Sequence, residues 1–460
     1  SLMPKVDRLC MVCEIAVSPA GKVSRFQFYE GLMHSQERFT YTTVAQIIEA
    51  RTEKHSAVRE KYAALVPHID NLYSLYQALR GARDERGAID FETQETRIIF
   101  ADNRKIEKII PVVRNEAHKL IEECMLAANT CAATLLEKQK LPALFRVHEG
   151  PSEEKLKNLR AFLGELGLGL GGGNKPTPRD YQNLLASAVG RTDARLIQTM
   201  LLRSMSQAVY QPENIGHFGL DYDSYAHFTS PIRRYPDLLV HRAIRYLVRN
   251  RPEVKQVRCA EGAPKLPQSK IYPYDDASMD AFGVQCSSCE RRADEASRDV
   301  VAWLKCEYLL DHVEETFDGV INAVTSFGLF VELKDIYIEG LVHVTMLKRD
   351  YYHFDAAGQR LVGERTREVY RLGDSVQVRV VRVDLDDRKI DLELLQLIKN
   401  VRSPGQRSLS AAATTPETAP KKKKPAAPNK KTGPNKKTGP KKPAAPKKMA
   451  NRPSTPKGKK

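Results

Sequence analysis

The chain has 460 residues, 42% of them hydrophobic and 28% charged, which is enough to bury ordinary cores in two or three domains and too apolar for a chain disordered throughout. No window approaches ~18 consecutive apolar residues and the opening SLMPKVDRLC has no basic-then-apolar leader, which argues against a membrane span or secretion and for a soluble cytoplasmic protein. The formal charge of +16 is all in one place: residues 421–460 hold 16 Lys and Arg without an Asp or Glu, and the 73 basic residues less those 16 equal the 57 acidic ones. A neutral body with a basic appendage suits a polyanion, most commonly nucleic acid, with an acidic protein or a membrane surface as alternatives.

In chain order, RLCMVCEIAV from Arg8 and KVSRFQFYEGLM from Lys22 alternate as antiparallel strands. YTTVAQIIEAR and PHIDNLYSLYQALRGARDERG, from Tyr41 and Pro67, have helical spacing. IDFETQETRIIF and RKIEKIIPVV pattern as a strand pair, and NEAHKLIEECMLAANTCAATLLEKQK as the strongest helix. In that helix Leu120, Ile121, Cys124, Met125, Ala128 and Ala132 are expected on one buried face, with Glu122, Glu123 and Asn129 at its border. The Gly-rich stretch Leu166–Pro176 lacks the Lys-Ser/Thr ending of a phosphate-binding loop and a strand before it, so it is taken as a plain loop. Two C-x-x-C spacings, Cys10/Cys13 and Cys286/Cys289, fall in a strand-like run and a charged helical run without the turn and histidines of a zinc site. They are taken as reduced structural thiols.

The stretch HFGLDYDSYAHFTSPIRRYPDLLVHR, from His217 to Arg242, is the most informative. Ser230 and Pro231 end an extended aromatic segment, while Pro236 and Asp237 suit the first turn of a helix. Arg233 and Arg234 then stand just before a helix N-terminus, where they form either a phosphate clamp or pins holding the loop through carboxylates. Phe228 and Tyr235 are candidates to stack on bases, and His241 is expected to make a structural hydrogen bond one turn on from Asp237. Downstream, Ser287–His312 is expected to be a helix leading into a small all-β unit of five short strands from about Glu315 to Leu397, which suits an OB-type barrel. The segment KRDYYHFDAAGQRLVGERTREVYRLGD is the expected polar, aromatic-bearing connection between its third and fourth strands. The aspartates Asp384, Asp386 and Asp387 fit a tight turn there better than a metal site, and Asp221/Asp223 and Asp275/Asp276 lack a third spaced ligand. From Ser403 onward only Ala, Pro, Lys, Thr and Gly prevail, with NKKTGP and KKPAAP each repeated, so residues 403–460 are expected to be disordered.

The pattern H-F-G-L, four residues, Y-A-x-F-T-S-P-I-R-R-Y-x-D-x-x-x-H, together with LIEECMLAAN, ERGAIDF, GGNKPTPRDY, MLLRSMSQAVY and RRADEASRDVVAWL, resembles the ribonuclease II family across residues 5–312. The resemblance implies an α+β RNB catalytic domain over 1–312, truncated at its N-terminus, then an S1-type OB-fold domain over 315–397 and the tail. It implies processive 3′-to-5′ hydrolysis of RNA, single-stranded or with a 3′ overhang, to nucleoside 5′-monophosphates. It implies Mg²⁺ too, whose Asp ligands and the family's cold-shock domains would lie upstream of residue 1, leaving this chain alone nearly inactive. Ribosome or RNA-decay proteins are implied partners. By the same resemblance Arg233 contacts the scissile phosphate with Arg234 beside it, Tyr41 and Glu123 lie near the terminal nucleotide, and Phe91 packs on the 3′-end base stack. Without it, Tyr41 and Phe91 are half-buried core aromatics and Glu123 a solvated helix residue. In the barrel Phe327, Phe330 and His343 match an aromatic RNA-binding face, with Asp384 and Arg388 on its polar rim. The alternative is a non-catalytic single-stranded RNA-binding module built on barrel and tail.

Overall fold

A computed structural model describes residues 2–399 except 54, 92–94 and 192, so the tail expected from 403 lies outside the described residues. The first two strands form a long antiparallel hairpin, Asp7–Val17 with Val23–His34, and the short strand Val257–Arg258 runs parallel to the second. The hairpin turn holds Gly21 at φ +71°, where a Cβ would lie 2.1 Å from the Ala78 carbonyl oxygen. Only glycine lets the turn sit directly on the helix Val66–Arg86.

The helices start and stop on local signals. Thr40 caps Tyr41–Glu49 by accepting from the Thr43 amide at 3.1 Å. Val66–Arg86 ends at Gly87 in the left-handed region, φ 102°. Asn115 and His118 form a reciprocal capping box at the start of Glu116–Gln139. That last helix differs from the expected face: Ile121 is exposed, Cys124, Met125 and Ala128 are only partly buried, and Glu123, Asn129, Cys131, Ala133, Leu135 and Leu136 are buried with Leu120 and Ala132. The physical reason is that the helix packs against Tyr41–Glu49, Val66–Arg86 and Tyr235–Asn250 in turn, so no single stripe describes it. The main core joins its C-terminal half to Phe28 of the hairpin and to Leu239, Val240, Ala243 and Ile244 of Tyr235–Asn250. A second core gathers Leu156, Leu159, Phe162, Tyr181, Leu184, Ile197 and Leu201 from helices Glu153–Glu165, Pro178–Ala188 and Ala194–Ser204.

A 35-residue helix, Asp276–Leu310, begins well before the expected Ser287. Residues 291–300 are all exposed, and Cys306 and Leu309 then bury into the barrel core. The barrel is closed, in the order Ile338–His343, Lys389–Lys399, Ser375–Asp384, Thr316–Thr325, Gly328–Leu333. The connection expected to be polar and aromatic-bearing forms a three-stranded antiparallel sheet of its own, Tyr352–Asp355, Arg360–Gly363 and Val369–Arg371, because Tyr352, Leu361, Tyr370 and Leu372 are buried with the barrel core. Among the described residues no helix is long and apolar enough to cross a membrane.

Candidate nucleic-acid interface

The segment from His217 to Ser230 is held by backbone bonds to the strand Phe145–Val147 and to His148 just after it, the Arg146 amide donating to the Tyr225 carbonyl and the Phe218 amide to the His148 carbonyl, both at 2.8 Å, and by one buried side chain. Asn129 Oδ1 accepts from the amides of Phe228 and Thr229 at 2.9 and 3.2 Å, and its Nδ2 donates to the Tyr225 hydroxyl at 2.9 Å. Sequence reasoning left Asn129 at a helix border; the signal available was one amide side chain inside an apolar run. The chain then turns at Ser230, whose carbonyl accepts from the amides of Arg233 and Arg234, and enters the helix Tyr235–Asn250.

Here the clamp and the pin separate. Asp237 is fully buried, accepts from the Ser230 amide at 2.7 Å and pairs with Arg234 at 2.9 Å. Arg234 is therefore the pin, with little of its side chain exposed. Arg233, one residue earlier, is exposed and its side chain makes no hydrogen bond or ion pair among the described residues. Phe228 is not available to bases: it is buried, edge-on to Phe28 at 5.3 Å and stacked on His241 at 4.4 Å. His241 is structural as expected, but its Nε2 meets the Phe228 carbonyl at 2.8 Å rather than Asp237, since that carboxylate is already taken. Tyr235 remains 45% exposed beside the free arginine.

Under this turn lies a cluster of half-buried histidines. His227 accepts from or donates to the Tyr210 hydroxyl at 2.8 Å, and His217 packs against His148 and Tyr225. Burial first, then Arg234 and Arg146, pushes His227 down to about 2, and burial, then His148 and Arg146, pushes His217 down to about 3. Both rings stay neutral when folded and take up protons near ~6.5 when unfolded. Stability is therefore full above that value and is lost as pH falls from it towards the folded values, by up to ~1.4 kcal/mol per pH unit for each ring. Urea unfolding at about pH 5 should show a clearly lower midpoint than at about pH 7.5, and equal midpoints would contradict it.

A second group surrounds Glu123. This residue is 4% exposed, so it is not a solvated helix residue. Its carboxylate receives the buried Arg83 guanidinium at 2.8 Å. Arg83 also reaches Glu122 at 3.4 Å and Asp90 at 3.9 Å, next to Phe91, which is half-buried against the second core. Tyr41 is 47% exposed rather than half-buried in the core, and its ring stacks on His118 at 3.9 Å. One ion-pair network thus ties Glu123 to Asp90, the neighbour of Phe91, while Tyr41, at the start of its own helix Tyr41–Glu49, stacks on His118 in the first turn of the helix that carries Glu123. Glu123 also lines a cavity of about 480 Å³ with Gly21, Thr130, Arg86 and Tyr222, the Arg86 guanidinium lying 4.1 Å over the Tyr222 ring.

The third region is a cleft of about 1330 Å³ between the barrel and the long helix. Phe327, 47% exposed and edge-on to Phe330 at 6.0 Å, lines it with Arg388 and Lys389, and Arg298 and Lys305 face them from the helix. His343 and Asp384 are not among its lining residues. His343 bonds the Thr345 hydroxyl at 2.8 Å, and Asp384 holds its turn by accepting from the Asp387 amide at 3.0 Å and from Arg382 at 2.8 Å. That turn joins strands paired as Asp384↔Lys389. Among the described residues no group of three or more His, Cys, Asp or Glu is placed to hold a metal ion. The described residues therefore do not fit a Mg²⁺ seat.

The RNB domain model matches residues 1–250, more than half of the chain. The chain belongs to the RNB family. Its S1 RNA binding domain match covers residues 311–395, which hold four barrel strands whole and the first part of the fifth, Lys389–Lys399. The RNB chain is 55% identical over 426 residues to Ribonuclease R of Vibrio cholerae, covering 93% of this chain and 50% of that protein. It spans about half the length of the curated relatives it matches. Among solved structures it is similar to the apo form of Mycoplasma genitalium RNase R, with TM-score 0.76, 25% identity, and coverage of 86% of this chain and 59% of that one. The same protein in complex with ribose methylated single-stranded RNA gives TM-score 0.74 at 25% identity with the same coverage.

Proposed function

We propose that the chain is the RNA-gripping part of a cytoplasmic 3′-to-5′ exoribonuclease that hydrolyses single-stranded or 3′-overhanging RNA to nucleoside 5′-monophosphates. The observation that carries this reading is Arg233, an exposed guanidinium without a protein partner one residue ahead of Arg234, which is locked to buried Asp237 at a helix N-terminus. A cation held in place by its neighbours but left unneutralised is what a scissile phosphate needs as negative charge builds on it. Tyr41 and Phe91 would bracket the terminal bases, with Glu123 near the last nucleotide. Phe327, Phe330 and Arg388 would hold the strand farther from its end, with His343 and Asp384 at the rim. The identity to Ribonuclease R supports the activity, and the RNA in the Mycoplasma genitalium complex supports the substrate class.

The absence of a metal seat among the described residues favours one second reading, an RNA-binding module that does not cut. The two separate in one assay: release of mononucleotides from a labelled 3′-overhang RNA with Mg²⁺, by this chain and by a version extended at its N-terminus with the preceding family segment. The exoribonuclease reading expects this chain to bind single-stranded RNA but release little, and the extended protein to release mononucleotides rapidly. An extended protein that binds without cutting would leave the binding module. Rapid hydrolysis by this chain itself would show a metal seat that the described carboxylates do not offer.

A further inference from the structure

The sheet inserted between the third and fourth barrel strands has a corner that its own fold does not explain. Asp350 joins two separate segments there. Its Oδ1 accepts from the amides of Tyr351 and Arg365 at 2.8 and 3.1 Å, and its Oδ2 accepts from the Thr366 amide and hydroxyl at 2.7 and 2.5 Å. The Glu364 amide adds a bond to the Tyr351 carbonyl at 2.8 Å. Gly363 makes room, since a Cβ on it would meet Asp350 Oδ2 at 2.6 Å. The Thr366 hydroxyl and the amides around it hold the Asp350 carboxyl well below the usual range, so the tie stays ionised at any ordinary pH.

The tie brings exposed rings and unneutralised cations together. Tyr351 is 67% exposed, with the exposed His353 ring edge-on to it at 4.9 Å. The carboxylates of the insert other than exposed Glu364 are engaged within the protein: Asp350 as above, Glu368 by Lys348 and the Tyr370 hydroxyl, Asp355 by Arg360 at 2.7 Å, and Asp374 by the Arg371 amide at 2.8 Å; Glu364 lies 3.7 Å from His353 Nε2, an ion pair only when that ring carries a proton. Three exposed arginines are left over. The Arg365 side chain donates only to the Arg349 carbonyl at 2.7 Å, while the Arg349 and Arg367 side chains make no hydrogen bond or ion pair among the described residues. Arg367 is also held at φ 59°, a left-handed backbone that an arginine does not favour, in the loop between the last two strands of the insert.

Two outward rings beside three unpaired guanidiniums, fixed by a carboxylate that contacts neither ring, is the composition that grips a single strand by stacking and phosphate contact. We propose that this corner of the insert is a second seat for single-stranded RNA, with bases on Tyr351 and His353 and phosphates on Arg349, Arg365 and Arg367, separate from the barrel face that carries Phe327 and Arg388. The proposal rests on the RNA reading above and adds a site to it. An acidic protein segment would use the arginines but gain little from the rings, which is why RNA is the better occupant.

The test measures affinity of the full chain for a labelled oligouridylate across a salt series. Tyr351→Ala should weaken binding about tenfold with an unchanged salt slope, because stacking releases no counterions. Arg349→Gln/Arg365→Gln/Arg367→Gln should weaken it too and flatten the slope by up to ~2 log units per log salt, at ~0.7 for each phosphate contact. All four side chains are exposed, so melting temperatures should hold. As a check without substitution, 4-thiouridine RNA should crosslink to Tyr351 in the unaltered chain. If these variants bind like the parent while Phe327→Ala weakens binding, the second seat is wrong and the RNA reading stands. Crosslinks found only on the barrel face would overturn it as well. An unaltered chain that binds no RNA would end both.

Discussion

Replacing Arg233 by alanine in the N-terminally extended protein is expected to slow mononucleotide release by ~10²–10³ while leaving RNA affinity and melting temperature close to those of the parent. The asymmetry follows from where the side chain stands. Arg233 is exposed and contributes no ion pair to the fold, so its loss removes nothing that the folded state depends on. Its charge matters most when a phosphate acquires extra negative charge, which happens only on the way to the transition state. Arg233→Lys should recover little, because a fork of donors is replaced by a point charge. Arg234→Ala makes the control: it strips the cation from fully buried Asp237, and leaving one member of such a pair alone costs about 3–5 kcal/mol of stability. The two variants should thus fail in different assays, one in turnover and the other in urea unfolding. Unchanged turnover in Arg233→Ala would assign that side chain no part in the reaction.

Nothing local in the sequence distinguishes these neighbours. Arg233 and Arg234 are the same residue type in the same motif, and both Asp237 spacings, i,i+4 and i,i+3, are helical contact distances. Only the turn at Ser230, which places the helix start at Tyr235 and leaves Arg234 as its extended cap residue, decides which side chain reaches the carboxylate. Elements set by short-range chemistry were legible: the Asn115 and Thr40 caps, the Gly87 stop, the hairpin and the five barrel strands all lie where capping residues and alternation put them. What depends on a distant partner was not. Glu123 looks like a solvated helix residue because Arg83 is 40 positions away, and Phe228 looks like a stacking platform because Phe28 and His241 close on it from two other elements. The insert read as a polar, aromatic-bearing connection for a related reason. Its apolar residues are single and scattered, and become a core only when Tyr352, Leu361 and Tyr370 come together from three short strands.

Removing Arg83 is expected to cost the fold about 3–5 kcal/mol, among the largest effects of any single change in the described residues. Three carboxylates converge on this guanidinium, but they do not depend on it equally. Asp90 keeps Arg80 at 2.7 Å, and Glu122 keeps Arg114 and is 35% exposed, so both retain a cation or water. Glu123 is 4% exposed and its carboxylate has no other ion pair among the described residues. In Arg83→Met it would be a buried charge without a partner, which must either stay desolvated or take a proton. The same reasoning fixes two further outcomes. Arg83→Met/Glu123→Leu should be less destabilised than Arg83→Met, because the stranded charge is gone and apolar volume replaces the pair. The penalty in Arg83→Met should also shrink as pH falls to about 5, since the carboxyl then protonates more readily in the folded state than in the unfolded one. Urea midpoints of the three proteins at both pH values measure all of this. A loss below about 1 kcal/mol in Arg83→Met would mean that the cavity beside Glu123 admits water to its carboxylate. The pair would then behave as a surface bridge that happens to line a pocket.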